Sequence, residues 1–192
     1  MPLLSVKEYI EYERKNEQKY EYHDGKIFAL AGGTLNHGLL CGNIYAEIRR
    51  GLKAQASDCK PLLSEIKLNI SKKNNYVYPD TMVVCGELEM SKEDENAVTN
   101  PILIVEVLSK STAEYDRGDK FHFYRQIASL EEYVLIEQDK AVVEIYYKKK
   151  GTDLWSISRY EGISASIKLQ SIGVNIKMQE LYFDVDMGTE ES

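Results

Sequence analysis

The spacing of hydrophobic residues predicts three helices. Apolar side chains recur every fourth position in a stretch from about Asn36 to about Gln55, which indicates one long helix with a single buried face. The residues that form this face are Leu40, Ile44, Ile48 and Leu52. Ser5 followed by Glu8 has the form of a capping box, and it predicts a helix from about Val6 to Lys15. Ser111 or Thr112 is placed to cap a third helix that runs to about Ile127.

Strand patterns occupy most of the remaining chain. Residues 20–30 predict a hairpin whose turn contains Asp24-Gly25, and residues 66–70 alternate apolar with polar side chains after Pro61. The run from Ile102 to Leu108 is apolar on both faces, as expected of a central strand that is covered on both sides. Further strands are predicted at residues 76–84, 133–136, 142–147, 154–160 and 166–169, a turn at 72–75 and an acidic surface loop at 87–100.

The order of these elements predicts an α/β layered domain with a mixed sheet. A chain of 192 residues with 43% hydrophobic residues has the size and composition of one folded domain, which we place at residues 1–179, followed by an acidic tail at 180–192. No apolar stretch is long enough to predict a membrane span, and the first residues turn polar too early to suggest a signal peptide.

The three cysteines, Cys41, Cys59 and Cys85, are an odd number and are widely spaced. This pattern argues against a disulfide framework and against a structural zinc site, and it favours a reducing cytoplasm.

The net charge of −7 does not by itself exclude a nucleic-acid partner. The excess of acidic residues is concentrated in two segments, 87–95 and 180–192, so the rest of the chain is close to neutral. A basic face within that remainder is compatible with the composition but is not demonstrated by it.

A carboxylate lies inside the most hydrophobic strand of the chain. Glu106 has only apolar neighbours in this strand, and a buried carboxylate is costly unless it is paired or binds a cation. Asp80 follows Pro79 and opens the preceding short strand, so pairing of the two strands brings two like charges together. A divalent cation relieves such repulsion, and oxygen ligands without a nearby His or Cys set favour Mg²⁺, with Mn²⁺ as a substitute.

Lys120 is the expected cationic partner of these carboxylates. On the third predicted helix, Asp116, Lys120 and Tyr124 follow one another at intervals of four residues and therefore share a face. Three plainer readings remain open: Asp116 and Lys120 as an ordinary helix ion pair, Asp80 as a turn residue, and Glu106 as a partner of Arg117 or Arg125.

These residues resemble the pattern of a bacterial restriction endonuclease domain family within the PD-(D/E)xK nuclease superfamily. The similar segments are Tyr78-Pro79-Asp80, Asn100-Pro101, Val105 to Ser109, Ser111-Thr112, Tyr115 to Arg117 and Lys120, together with Tyr20-Glu21, Asp24-Gly25, His37 and Glu132-Tyr133. The resemblance extends over about residues 5 to 170. It implies a restriction-endonuclease-like fold and Mg²⁺-dependent hydrolysis of DNA phosphodiester bonds by Asp80, Glu106 and Lys120.

The chain departs from the superfamily motif at one position. The lysine expected two residues after Glu106 is replaced by Leu108, and the resemblance implies that Lys120 of the following helix takes its place. Glu21 matches the family's N-terminal acidic residue and is a further candidate metal ligand, while Glu65 and His37 are weaker candidates for the site.

Two other classes of function remain open beside a nuclease. One is a DNA-binding or regulatory module that keeps the fold without cleaving, and the other is a metal-dependent hydrolase of a different phosphate ester. A homodimer is expected for a nuclease that cuts both strands of a duplex, because two active sites are needed.

Overall fold

A computed structural model describes residues 3–30, 32–70, 74–110 and 112–188 of the protein. The helices are α1 (Val6–Asn16), α2 (Leu35–Ala54), α3 (Ala113–Tyr115), a π-helical turn (Asp116–Lys120), α4 (Phe121–Tyr124) and α5 (Met178–Leu181). The predicted capping box at Ser5 and Glu8 is present at the start of α1, and the four-residue apolar repeat forms the buried face of α2. The third predicted helix is continuous through α3, the π-helical turn and α4. Of its two predicted caps, Ser111 lies outside the described residues and Thr112 makes no side-chain capping bond.

Thirteen strands are found within the described residues. They are β1 (Tyr20–His23), β2 (Lys26–Ala29), β3 (Lys60–Leu63), β4 (Lys67–Ile70), β5 (Asn75–Val77), β6 (Thr81–Val84), β7 (Ala97–Val98), β8 (Leu103–Leu108), β9 (Glu132–Glu137), β10 (Val142–Lys148), β11 (Trp155–Glu161), β12 (Ser166–Leu169) and β13 (Val174–Lys177). Asp24 and Gly25 both have positive φ and make the tight turn predicted between β1 and β2. The predicted turn at 72–75 lies partly outside the described residues, and Asn75 already belongs to β5.

A six-stranded mixed sheet in the order β11-β10-β9-β8-β6-β3 forms the centre of the fold. Strands β8 and β9 are parallel, whereas the other neighbours in this sheet are antiparallel. A second sheet has the order β2-β1-β5-β4-β7, and β12 pairs with β13 in a separate hairpin. The α/β architecture with a mixed sheet is therefore confirmed.

Strand β8 has all six residues buried, because both faces of the central sheet are covered. Leu103, Val105 and Val107 pack with α2 and the β12–β13 hairpin on one side. Ile104 and Leu108 pack on the other side with α4 and the second sheet. Alternation along the strand therefore directs Glu106 to the same face as Ile104 and Leu108.

Polar residues are buried in two segments. The polar residues of β4, Lys67 and Asn69, are buried although they alternate with apolar residues. The acidic stretch 87–100, predicted as a surface loop, is exposed at residues 87–90, but it contains the buried strand β7 and Asp94, which is only 2% exposed and pairs with Lys67. Strand β13 and helix α5 are additional elements that the spacing of hydrophobic residues did not predict.

One disulfide is present, although the number and spacing of the cysteines argued against a disulfide framework. Cys59 and Cys85 are joined by a disulfide, while Cys41 is free. Strands β3 and β6 run antiparallel with Lys60 opposite Val84, so the positions just outside this pair, 59 and 85, face each other. The spacing of Cys59 and Cys85 in the sequence does not reveal that they are close in the fold.

The described part of the segment 180–192 lies against α2. The side chain of Asn43 donates to the carbonyls of Leu181 and Phe183, and Asn36 donates to the carbonyl of Asp186. No helix among the described residues has the length and apolar character that a membrane crossing requires.

Candidate active site

The pairing of β6 with β8 brings Asp80 and Glu106 to neighbouring positions. Thr81 lies opposite Val105 in this antiparallel pair, so the residue before Thr81 is next to the residue after Val105. Asp80 lies between Pro79 and Thr81, the first residue of β6. The two predicted carboxylates therefore meet at one edge of the central sheet.

Glu106 is held by two side chains from the helical segment 113–124. The Lys120 Nζ lies 2.9 Å from Glu106 Oε1, and the Tyr124 hydroxyl donates to the same oxygen at 2.6 Å. Lys120 is the last residue of the π-helical turn, and Tyr124 ends α4. The predicted common face of Lys120 and Tyr124 thus points at the predicted carboxylate.

Burial dominates the electrostatics of Glu106, which is 4% exposed. Burial, followed by the charges of Asp80 and Asp116, raises the pKa of Glu106 to about 8, against the opposing effect of Lys120. The pKa of Lys120 is also raised: burial alone would lower it, but Glu106, Glu21 and Asp116 outweigh that effect. Lys120 is therefore a cation, and Glu106 is a carboxyl group that needs positive charge beyond that of Lys120 to ionise below about pH 8.

Asp80 is oriented by the backbone and by α2. The Val107 N–H donates to Asp80 Oδ2 at 2.8 Å, and the His37 Nε2 lies 3.3 Å from the same oxygen. The hydrogen bond to Asp80 raises the pKa of His37 above its ordinary value, although burial acts in the opposite direction.

Glu21 of β1 joins the periphery of this site. Burial favours its neutral form, but the hydrogen bond to His23 and the charge of Lys120 prevail and lower the pKa of Glu21. Its Oε2 lies 3.2 Å from His23 Nε2. Glu21 is therefore a carboxylate that shares Lys120 with Glu106.

The alternative partners considered for these residues behave differently. Asp116 does form the i, i+4 contact with Lys120, at 3.4 Å, in addition to the contact of Lys120 with Glu106. Arg117 pairs with Glu137 and Glu144 instead of Glu106. Glu65 has a side chain that is 76% exposed and pairs with Lys19, so it lies outside the cluster.

The expectation that no histidine or cysteine lies near the carboxylates is wrong. His37 and Cys41 of α2 lie beside Asp80, and the three side chains offer ligand atoms within 4.8 Å of one another. The separation of His37 and Cys41 by four residues on a predicted helix indicated that they share a face. Nothing in the sequence showed that this face lies against Asp80.

The charge of the cluster suits a divalent cation. Three carboxyl groups, those of Glu21, Glu106 and Asp116, interact electrostatically with Lys120, and the charge of Asp80 acts on Glu106. Carboxylate oxygens are the ligands that Mg²⁺ and Mn²⁺ prefer, so Asp80 and Glu106, with Glu21 at the edge, are chemically suited to hold such an ion.

Comparison with known proteins places the chain in a family. Residues 6–179 match the model of the Uma2 family, described as "Putative restriction endonuclease". Two uncharacterized proteins of Synechocystis sp. are similar along most of their length: one is 34% identical, covering 94% of this chain and 92% of the relative, and the other is 37% identical, covering 86% and 92%.

A solved structure has the same fold. It is the crystal structure of a putative nuclease belonging to DUF820 from Anabaena variabilis, which superposes with a TM-score of 0.68 at 16% identity, covering 86% of this chain and 90% of that chain. The family match, which spans most of the chain, and this shared fold agree with the resemblance seen in the sequence. The protein belongs to the Uma2 family of putative restriction endonucleases.

Proposed function

We propose that the protein is a metal-dependent endonuclease that hydrolyses DNA phosphodiester bonds, with Asp80, Glu106 and Lys120 as its catalytic residues. The observation that carries this proposal is the contact between Lys120 and a buried Glu106 that shares a sheet edge with Asp80. Membership of the restriction endonuclease family supports DNA as the substrate.

Asp80 and Glu106 would hold the divalent ion, with Glu21 as an additional ligand at the edge of the site. When bound, a Mg²⁺ or Mn²⁺ ion supplies Lewis-acid stabilisation of a phosphate oxygen and lowers the pKa of a coordinated water. The hydrogen bond from the Val107 N–H orients the Asp80 carboxylate, and the Tyr124 hydroxyl orients that of Glu106. Both carboxylates are thus positioned before any substrate arrives.

Lys120 has two roles in this proposal. Its ammonium group supplies positive charge beside Glu106, which favours the ionised carboxylate that a metal requires. The same group stabilises negative charge that develops on the phosphate during attack by water. The contact between Lys120 and Glu106 supports a helix lysine in this role, since it places the ammonium group beside the carboxylates.

The test is cleavage of supercoiled plasmid DNA with Mg²⁺ or Mn²⁺ by wild-type protein and by variants. Asp80→Ala, Glu106→Ala and Glu106→Gln should abolish cleavage while circular dichroism shows a folded protein. Glu65→Gln is the matched control, because this carboxylate is exposed and outside the cluster, and it should cleave like the wild type.

Full cleavage by a folded Asp80→Ala or Glu106→Gln variant would refute the assignment of the site. Tight DNA binding by wild-type protein without cleavage in either metal would favour the alternative of a non-cleaving DNA-binding or regulatory module. Hydrolysis of small phosphodiesters without action on DNA would instead favour a different phosphate ester as substrate.

We propose a homodimer as the active form, because two sites related by a twofold axis match the opposite polarity of the strands of a duplex. Sedimentation velocity of the wild-type protein tests this directly. A purely monomeric protein that nevertheless cuts both strands at one position would contradict it.

A further inference from the structure

We propose that His37, Cys41 and Asp80 form a second kind of metal site, one that binds a borderline-soft divalent ion such as Zn²⁺. This site differs in ligand chemistry from the oxygen site proposed for Mg²⁺ and shares Asp80 with it. The binding proposal stands on the geometry of the three side chains and does not require the protein to be a nuclease.

Helix α2 presents the nitrogen and sulfur ligands together. His37 and Cys41 are four residues apart, so they lie on the same face of the helix, one turn from each other. The start of the helix is fixed by Thr34, whose hydroxyl accepts from the His37 N–H at 3.1 Å. The first turn that carries His37 is therefore anchored by its cap.

The three ligand groups lie close together, with His37 in contact with each of the other two. Cys41 Sγ lies 3.6 Å from His37 Nδ1, and His37 Nε2 lies 3.3 Å from Asp80 Oδ2. One ligand atom from each residue lies within 4.8 Å of the other two, which is the compactness that a single ion requires.

The set of one nitrogen, one sulfur and one oxygen ligand selects the ion. Zn²⁺ binds imidazole, thiolate and carboxylate in tetrahedral sites, often with a water in the fourth position, whereas Mg²⁺ is bound by oxygen ligands. All three side chains are only partly buried, so an ion can reach them from solvent.

Gly33 leaves the space that the imidazole occupies. A Cβ atom at this position would lie 2.8 Å from His37 Nδ1 and 3.1 Å from its Cγ, so a larger residue would force the ring to move. The residue before the helix cap thus limits where the histidine ligand can point.

Sharing Asp80 has a consequence that rests on the proposed nuclease function. An ion bound by His37 and Cys41 would also be bound by the Asp80 carboxylate, which the Mg²⁺ site requires. Zn²⁺ should therefore inhibit Mg²⁺-dependent cleavage, and Cys41→Ser should relieve that inhibition.

The test uses Co²⁺ as a spectroscopic substitute for Zn²⁺, added to the 192-residue chain without DNA. Wild-type protein should develop the near-ultraviolet thiolate-to-cobalt absorption band and the intense visible bands of tetrahedral cobalt, and added Zn²⁺ should remove them. Cys41→Ser should lose the thiolate band, and both Cys41→Ser and His37→Ala should weaken Co²⁺ binding by about tenfold or more.

Two control variants identify the ligands. Glu106→Gln should keep the cobalt spectrum but lose the Mn²⁺ binding expected of the oxygen site. This variant therefore distinguishes failure of the zinc-site proposal from failure of the nuclease proposal. A Cys59→Ser/Cys85→Ser double variant should also keep the spectrum, because the other two cysteines are paired with each other.

Three results would overturn the proposal. They are the absence of a thiolate band in wild-type protein at saturating Co²⁺, a band that persists in folded Cys41→Ser, and a band that depends on Cys59 and Cys85. Circular dichroism of each variant confirms that loss of binding does not reflect loss of the fold.

Discussion

Replacement of Lys67 by methionine should destabilise the protein strongly. The Lys67 Nζ lies 2.6 Å from Glu13 Oε2 and 2.6 Å from Asp94 Oδ2, and all three side chains are largely buried. The ammonium group also lies 5.0 Å from the ring centre of Tyr9 and 5.9 Å from that of Tyr78. Lys67 thereby ties α1 and the acidic segment to strand β4.

The expected magnitude follows from leaving two buried carboxylates without their cation. Each ion pair at this distance is worth about 6 kcal/mol of attraction at an effective dielectric constant of about 20. Dehydration of the ions offsets much of that attraction, so removal of one partner from a buried pair costs about 3–5 kcal/mol. For a domain of this size that loss lowers Tm by roughly 6–20 °C.

Urea unfolding followed by circular dichroism, with calorimetry for Tm, measures the change. Lys19→Met is the matched control, because Lys19 also contacts a carboxylate at 2.7 Å, but its partner Glu65 is exposed. The expected loss of unfolding free energy in this control is below about 1 kcal/mol. Addition of Asp94→Asn to Lys67→Met should restore part of the stability, since only Glu13 then remains ionised there. A Lys67→Met protein within about 1 kcal/mol of wild type would refute the reasoning.

Three further predictions concern the site and the helix that borders it. Because the pKa of Glu106 is raised to about 8, its protonated form prevails below that pH, and binding of Mn²⁺ should release a proton. The affinity for Mn²⁺ should therefore rise with pH up to about 8. Calorimetry in buffers of different ionisation enthalpy tests this, and an affinity that is independent of pH would contradict it. Tyr124→Phe removes the buried donor to Glu106 and should cost about 1–3 kcal/mol of unfolding free energy in urea, whereas an unchanged midpoint would show that the hydrogen bond contributes nothing. Thr34→Ala removes the cap of α2 and should cost about 0.5–2 kcal/mol in the same assay, while Thr34→Ser should retain most of the stability.

Local spacing determined much of the fold and part of the site. The four-residue repeat of α2, the capping box of α1 and the all-apolar run of β8 each appear in the structure because period and capping depend on near neighbours in the chain. Glu106 was recognisable for the same reason, since an acidic residue inside such a run conflicts with its surroundings. The neighbouring position of Asp80 followed from strand pairing, and Lys120 from helical spacing.

Only the tertiary structure decided which distant residues meet. Asp94 and Lys67 look solvent-exposed in sequence, but they neutralise each other in the interior. Cys59 and Cys85 are brought together by the register of β3 and β6, and His37 and Cys41 reach Asp80 because α2 packs on the central sheet. Periodicity reveals which face of an element is apolar, but contacts between polar groups depend on register and packing, which arise from the whole chain at once.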